Sequence, residues 1–316
     1  MANYTFSADL VDDILFRAGE ATDGTSEFEA AALQYLNRAY QAIWMGGSEI
    51  VPEVREDWWW LRQVEVINLE PFIEAGTVSV TNNSTAITFS SAPAKDLDGW
   101  FFRVTDEPDV FRIAAHTAGQ AAATLDEAYT GDTAAAKAYK VFKLEYDLPS
   151  NLLRLKGPMR QYREPPFKID LAGVDELDLL APLARVERGV PRRFAEVDEN
   201  TVRFDRYVDE LTRVEFDFLV RPAALTNSGA EEPVVPLQFR KTLADVGTFL
   251  LFLDKNDDRA DSAGLLARNG LAAMALENRR RWAQISRNHI GRIFPRQGET
   301  DRFSGPVRTE SGLIIG

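Results

Sequence analysis

The stretch Asp57-Trp58-Trp59-Trp60-Leu61 divides this chain. Before it, apolar residues recur with a helical period. After it, from roughly Gly76 to Leu148, they alternate with polar ones and turn residues come at short intervals. The helical period returns past residue 236. That order predicts an α+β chain: a helical bundle body with an inserted antiparallel β-sandwich or barrel module and an extended C-terminal tail. Adjacent indoles cannot all face one way on a regular element. At least one of Trp58, Trp59 and Trp60 is therefore expected to pack outside the local core, as a possible subunit interface, or to seal the junction between helices and module.

Towards the N-terminus, Ser7 is a candidate N-cap, Leu10, Ile14 and Leu15 share a face, and Gly19 is a stop. Ser26 and Glu29 have capping-box spacing ahead of Phe28, Leu33, Leu36, Tyr40 and Ile43, and Gly46-Gly47 ends that helix. Residues 1–75 thus read as N-terminal helices with a Trp-rich junction. Residues 76–148 read as the β module. Val78 and Val80, Ile87 and Phe89, then Trp100 to Val104, Val110 to Ile113, Ala122 to Leu125 and Tyr139 to Leu144 are its strands. Pro149 marks the exit.

Residues 149–235 form a mixed connecting region. A helix is expected from about Asp175, carrying Leu177, Leu179, Leu180 and Leu183 and limited by Pro182. Strands are expected at Phe194 to Val197, Val202 to Phe204 and Val214 to Val220, and a loop from Thr226 to Pro236. Residues 236–292 read as a closing helical pair. Phe239, Leu243, Val246, Leu250 and Leu253 form a seam at steps of four and three. After the turn Asp254-Lys255-Asn256-Asp257-Asp258 a second helix carries Leu266, Leu271, Met274, Leu276, Trp282 and Ile285. Its Gly264, Ala267, Ala272, Ala273 and Ala275 permit close approach. Residues 293–316, punctuated by Pro295, Gly298, Gly305, Pro306 and Gly312, read as an extended docking tail ending on Leu313-Ile314-Ile315.

With no Cys, disulfides and thiolate chemistry are excluded, and folding in a reducing cytoplasm is expected. No signal peptide is expected from Met1 to Phe6, and the apolar run Phe249 to Leu253 is far too short to cross a bilayer. The formal net charge of −13 argues against a surface that binds nucleic acid throughout. Yet from Arg279 onward Arg279, Arg280, Arg281, Arg287, Arg292, Arg296, Arg302 and Arg308 face only Glu299, Asp301 and Glu310, so the arginine-rich end is a candidate for docking on an acidic partner.

Little points to catalysis. His116, in or beside a strand, and His289, near a helix end, are the only histidines and read as surface or junction residues. No Rossmann fingerprint, phosphate-cradling glycine loop or serine elbow occurs. The turn at Asp254 resembles the start of a calcium loop, but Arg259 stands where the turn glycine belongs and Leu265 where the bidentate Glu belongs. No metal, cofactor or enzymatic activity is expected.

In the order of its elements the sequence resembles the head-to-tail adaptor (connector or neck) proteins of tailed bacteriophages, including relatives of tail tubular protein A. The resemblance rests on the helices Asp9 to Gly19 and Ser26 to Met45, the Trp-rich segment, and the texture of the β module. That texture is Gly76-Thr77-Val78-Ser79-Val80, Gly99-Trp100-Phe101-Phe102, Ala122 to Gly131 and Ala138 to Phe142. The exit Tyr146 to Leu152 and the helix from Pro233 to Asp254 complete it. It implies a structural virion protein at the neck, on the capsid portal vertex, made in the host cytoplasm. Such proteins form a homo-oligomer ring, usually a dodecamer. The ring docks on the portal protein, extends the DNA channel and supports the next neck or tail protein, a stopper or tail tube. DNA passes transiently and non-specifically through the lumen during ejection, and no membrane is involved.

Carried onto this chain, Leu243, Val246, Leu250, Leu253, Met274, Trp282 and Ile285 would pack the ring wall. Phe294, Pro295, Arg296, Arg302, Phe303, Arg308, Leu313, Ile314 and Ile315 would dock on the portal. The alternative is a tail-tip or fibre-associated protein whose β module binds host carbohydrate, with Trp100 and Phe102 exposed on one sheet face. A carboxylate hydrolase acting on cell wall is a third reading, which no local constellation of residues supports.

Overall fold

The computed structural model of the chain describes residues 4–22, 28–52, 54–161, 167–293, 307–308 and 314–315, with side chains as far as Gln284 apart from Ala184. Contacts divide the chain into two compact units: Met1–Trp59 with Leu225–Gly316, and Trp60–Ala224. Among the described residues there are five helices: α1 (Ser7–Ala18), α2 (Glu29–Trp44), α3 (Val174–Leu180), α4 (Arg240–Asp254) and α5 (Ala260–Ile293). Apart from three short 3-10 turns, the other regular structure among them is strand, gathered mainly in one eight-stranded and one seven-stranded sheet.

That composition overturns the expected helical bundle body with a modest β insert. The protein is β-rich, with two nearly closed, barrel-like sheets. The cause is non-local pairing. Strand β1 (Arg62–Leu69) follows the tryptophans directly and pairs antiparallel along its whole length with a strand about a hundred and fifty residues later, from Arg62↔Leu219 to Leu69↔Thr212. A local periodicity cannot reveal such a partner. The region that read as a connector instead supplies most of a sheet.

The seven-stranded sheet comprises β2 (Val78–Val80), β3 (Ala86–Phe89), β4 (Phe101–Val104), β5 (Phe111–His116), β6 (Ala122–Leu125), β7 (Ala134–Lys137) and β8 (Tyr139–Phe142). Its order is β7-β2-β3-β6-β5-β4-β8 with antiparallel neighbours throughout. The two edge strands, β7 and β8, are separated in sequence only by Ala138, so the sheet curls nearly shut. The alternation seen in sequence aims Val78, Val80, Ile87, Phe89, Ile113 and Leu125 inward, where Trp100, Phe102 and Tyr139 fill the centre. Strand β7 has no pattern to read, being Ala-Ala-Ala-Lys, and is held by its neighbour β2.

The eight-stranded sheet takes β1, β9 (Glu145–Asp147), β10 (Leu152–Leu155), β11 (Met159–Gln161), β12 (Phe167–Leu171), β14 (Arg193–Asp198), β15 (Thr201–Phe204) and β17 (Thr212–Val220). The short strands β13 (Glu187–Arg188) and β16 (Arg206–Tyr207) pair with each other in parallel. Phe194, Phe204, Val214, Phe216 and Phe218 form its core. Within this unit a third cluster, of Phe101, Phe142, Leu144, Val186 and Tyr207, joins the outer side of the barrel to the β13/β16 pair. Tyr207 stacks on Phe142 with ring centroids 4.7 Å apart.

In the other unit α4 contacts α1, α2 and α5. It is consequently buried almost all round, polar Thr242, Asp245 and Thr248 included. Gly247 is what lets the helices approach: a Cβ there would lie 2.7 Å from Ile14 Cδ1 and 3.6 Å from the Leu36 backbone. Arg240, also buried, donates to the carbonyls of Val235, Pro233 and Thr5 and to Glu232. Ser7 is not the N-cap. It is the first helical residue, and its hydroxyl donates to the Thr226 carbonyl at 2.6 Å and pins the loop before α4. Gly19 does stop α1, at φ 85°. The capping-box Ser26 lies outside the described residues.

Candidate functional site

The most distinctive concavity lies on the eight-stranded sheet, a cleft of about 610 Å³ between the C-terminal end of α3, strand β12 and the β13/β16 pair. Lys168, Arg185, Arg192, Arg193 and Arg206 line it against only Asp170, Glu187 and Asp205. Cationic excess here stands out in a chain of net charge −13.

Each wall is built by a specific constraint. Asp205, only 9% exposed, spends one carboxylate oxygen on the chain entering β14: Oδ1 accepts the backbone N–H groups of Arg192 and Arg193 at 2.9 and 3.2 Å. That fixes the main chain under two exposed guanidinium groups. Strand β12 runs parallel to β14 with Asp170 opposite Arg193, and β13 runs parallel to β16 with Glu187 opposite Arg206. Helix α3 is anchored by buried Leu177 and by an ion pair from Asp178 to Arg203 on β15. Its next residues, Leu179 and Leu180, are left 82% and 51% exposed. Phe167 and Leu171 on β12 are exposed as well.

Chemically the lining of the cleft is suited to anionic groups. Arginine stays protonated and presents a planar fork of donors that matches carboxylate and phosphate oxygens, so it orients anions and does not shuttle protons. Lys168 is already paired with Asp170 at 2.5 Å. Among the described residues Arg185, Arg188, Arg192 and Arg193 carry no side-chain ion pair. The signal lay in plain sequence: residues 185–193 hold four arginines. The C-terminal arginines drew the charge argument instead.

Of the residues expected in ring-wall packing, Leu243, Val246 and Met274 are fully buried within the chain itself, Leu250 is half-buried, and Leu253 is exposed. Leu266 and Leu276, expected on the packing face of α5, are 51% and 73% exposed; Ala267, Leu271, Met274 and Ala275 form that face instead. Trp282 donates its indole N–H to the Asp57 carbonyl. Ile285 belongs to α5, and its side chain lies outside the described set.

The three tryptophans are dispersed. Trp58 is buried and donates to the Ile43 carbonyl, so it is spent inside its own unit of the chain. Trp59 is half-buried, with its main-chain N–H on Asn278 Oδ1 at 2.9 Å and the Arg281 guanidinium 5.4 Å from its ring. Trp60 is half-buried too. Arg279 pairs with Glu56, and Arg280 and Arg281 share Glu277, so two carboxylates offset most of the charge of these three arginines.

Of the portal-docking tail, Phe294, Pro295, Arg296, Arg302, Phe303 and Leu313 lie outside the described residues. Arg308, Ile314 and Ile315 are described in backbone only, where β18 (Val307–Arg308) pairs antiparallel with β19 (Ile314–Ile315).

Other titratable clusters are structural. His116 is buried, not at the surface: its ring sits edge-on to Phe89, and Nε2 lies 3.0 Å from the Gln120 carbonyl. Burial and the Glu107 carboxylate push the Tyr129 hydroxyl up to about 12. The exposed turn between α4 and α5 holds Asp257 down at about 2 through hydrogen bonds from Arg259, a pairing internal to the loop that resembled a calcium site. Among the described residues no cluster of three or more His, Asp or Glu could hold a metal ion, and no helix is long and apolar enough to cross a membrane. No protein-family model matches the chain, and no curated protein resembles it in sequence.

Proposed function

We propose that this chain is a structural virion protein, a head-to-tail adaptor. Its copies form a ring that docks on the portal protein, continues the DNA channel and offers a platform to the next neck or tail protein. The observation that carries this reading is apolar surface left uncovered on both units. Leu179 and Leu180 project from an anchored helix in one, and Leu253, Leu265 and Leu276 are exposed on α4 and α5 in the other. Large exposed apolar side chains next to arginines are what a subunit keeps for its neighbours.

Two further features fit. A net charge of −13 suits a channel wall that does not hold DNA phosphates in transit. Helix α5 has 34 residues against 15 in α4, roughly 50 Å against 22 Å at about 1.5 Å per residue, so it runs far beyond its partner towards the arginine-rich end.

The carbohydrate-binding alternative needs exposed aromatics on the barrel. Trp100 and Phe102 are instead 2% and 0% exposed, in the barrel interior, so nothing favours it. Electron microscopy of virions containing the chain tests the adaptor reading: density at the neck, between portal and tail, is expected, and density elsewhere overturns it. Removing residues 303–316 is expected to abolish co-sedimentation with portal protein and leave the circular dichroism spectrum unchanged.

A further inference from the structure

We infer that the arginine-lined cleft is one half of a contact between copies of this chain, and that it receives the Asp209-Glu210-Leu211 loop of a second copy. The inference rests on the homo-oligomeric reading above and gives that ring a specific joint.

The cleft has the composition of a protein-binding socket. A groove that only tracked a phosphate backbone would need cations alone. Here exposed Leu179, Leu180 and Phe167 stand beside Arg185, Arg192 and Arg193. A rigid platform of arginines bordered by leucines fits a segment carrying carboxylates and one apolar side chain. The chain itself is an acidic macromolecule, at net −13.

The β-rich unit contains a matching knob. Between β16 and β17, Asp209 and Glu210 are exposed, and Leu211 is 58% exposed. Neither carboxylate has an ion pair among the described residues. The loop is seated firmly: buried Thr212 donates its hydroxyl to the Glu210 carbonyl at 3.1 Å and opens the long pairing with β1.

Another acidic segment of this unit, Glu196-Val197-Asp198-Glu199, is by contrast engaged. Asp198 accepts the Asn200 N–H at 2.9 Å, and Glu199 pairs with Arg221. Socket and knob are separate but neighbouring parts of one copy: Asp209 follows the cleft-lining Arg206 by three residues, at most roughly 10 Å at about 3.3 Å per residue. When each copy's knob enters the socket of the next, the contact is head-to-tail, the kind that makes a ring where the rotation closes.

The test uses the full chain alone, without portal protein, so that its failure is separable from failure of the neck assignment. Sedimentation velocity at low salt should show self-association that weakens as salt is raised. The double variant Arg192→Glu/Arg193→Glu and the double variant Asp209→Lys/Glu210→Lys should each weaken association by at least roughly tenfold, and an equimolar mixture of the two should restore it. All four side chains are exposed, so circular dichroism should be unchanged in each variant. A wild type that stays monomeric at every salt concentration overturns the inference. So does association that survives both charge reversals, or a mixture that fails to recover. Binding of a duplex oligonucleotide that Arg192→Glu/Arg193→Glu abolishes, with self-association intact, would assign the cleft to nucleic acid and overturn it equally.

Discussion

The seven-stranded and eight-stranded sheets use similar residues and dispose of them differently. In the seven-stranded barrel the large aromatics Phe89, Trp100, Phe102 and Tyr139 all point inward, and its edge strands β7 and β8 meet through a single residue. Its interior is complete within one subunit. The eight-stranded sheet has an equally dry core around Phe194, Phe204 and Phe218, yet it leaves Phe167, Leu171, Leu179 and Leu180 outside among arginines. Leucines kept in water beside a complete core are what the proposed contact between copies would cover. The barrel is the stable part, and the arginine cleft is where a partner is to be sought.

Four experiments press on that contrast. Phe102→Ala removes a ring from the closed barrel and is expected to cost about 3–5 kcal/mol in urea unfolding, enough to endanger folding of the whole unit. A change below about 1 kcal/mol would mean the barrel is not a tightly packed core. Asp205→Ala comes next. It strands the backbone N–H groups of Arg192 and Arg193 and is expected to cost about 1–3 kcal/mol. It should also raise amide exchange at those two residues and not within the barrel.

The third experiment is pH dependence. The Tyr129 hydroxyl is held protonated in the fold up to about 12, above the roughly 10 of a free phenol. Because its folded value is raised, its contribution is fully present below about pH 10 and is lost as pH rises towards about 12. Denaturation followed across that range should show a steeper loss for the wild type than for Tyr129→Phe. Equal slopes would deny the buried hydroxyl its role. The smallest effect belongs to Leu179→Ser. An exposed side chain with no internal role should move stability by no more than about 0.5 kcal/mol, as read by thermal unfolding at low protein concentration.

Local pattern made much of the secondary structure legible. Strands at Val78, Ile87, Phe101, Ile113, Leu125 and Val141 were readable because a half-buried strand alternates with period two. Helix α4 was readable from its four-and-three spacing, but its surroundings were not: it is buried on nearly all sides, a property of three neighbouring helices and not of its own sequence. For the same reason Leu253, at the end of the α4 seam, and Leu266 and Leu276 on α5 are expected from spacing to pack, yet they are exposed. Strand β7 escaped notice because alanines carry no alternation.

The candidate cleft was half visible. Its Arg185, Arg192 and Arg193 are in plain sight, whereas Lys168, Arg206 and the carboxylate of Asp205 join them only through strand pairing. Composition, the absence of thiols, the periods of the strands and the helical ends all follow from the chain read residue by residue, because each depends on neighbours a few positions away. That the protein is β-rich, that β1 pairs with β17, and that scattered cations share one cleft are decided by the fold alone. Those facts depend on contacts between segments far apart in sequence, and hydrogen bonding across a sheet leaves no periodic mark that names its partner.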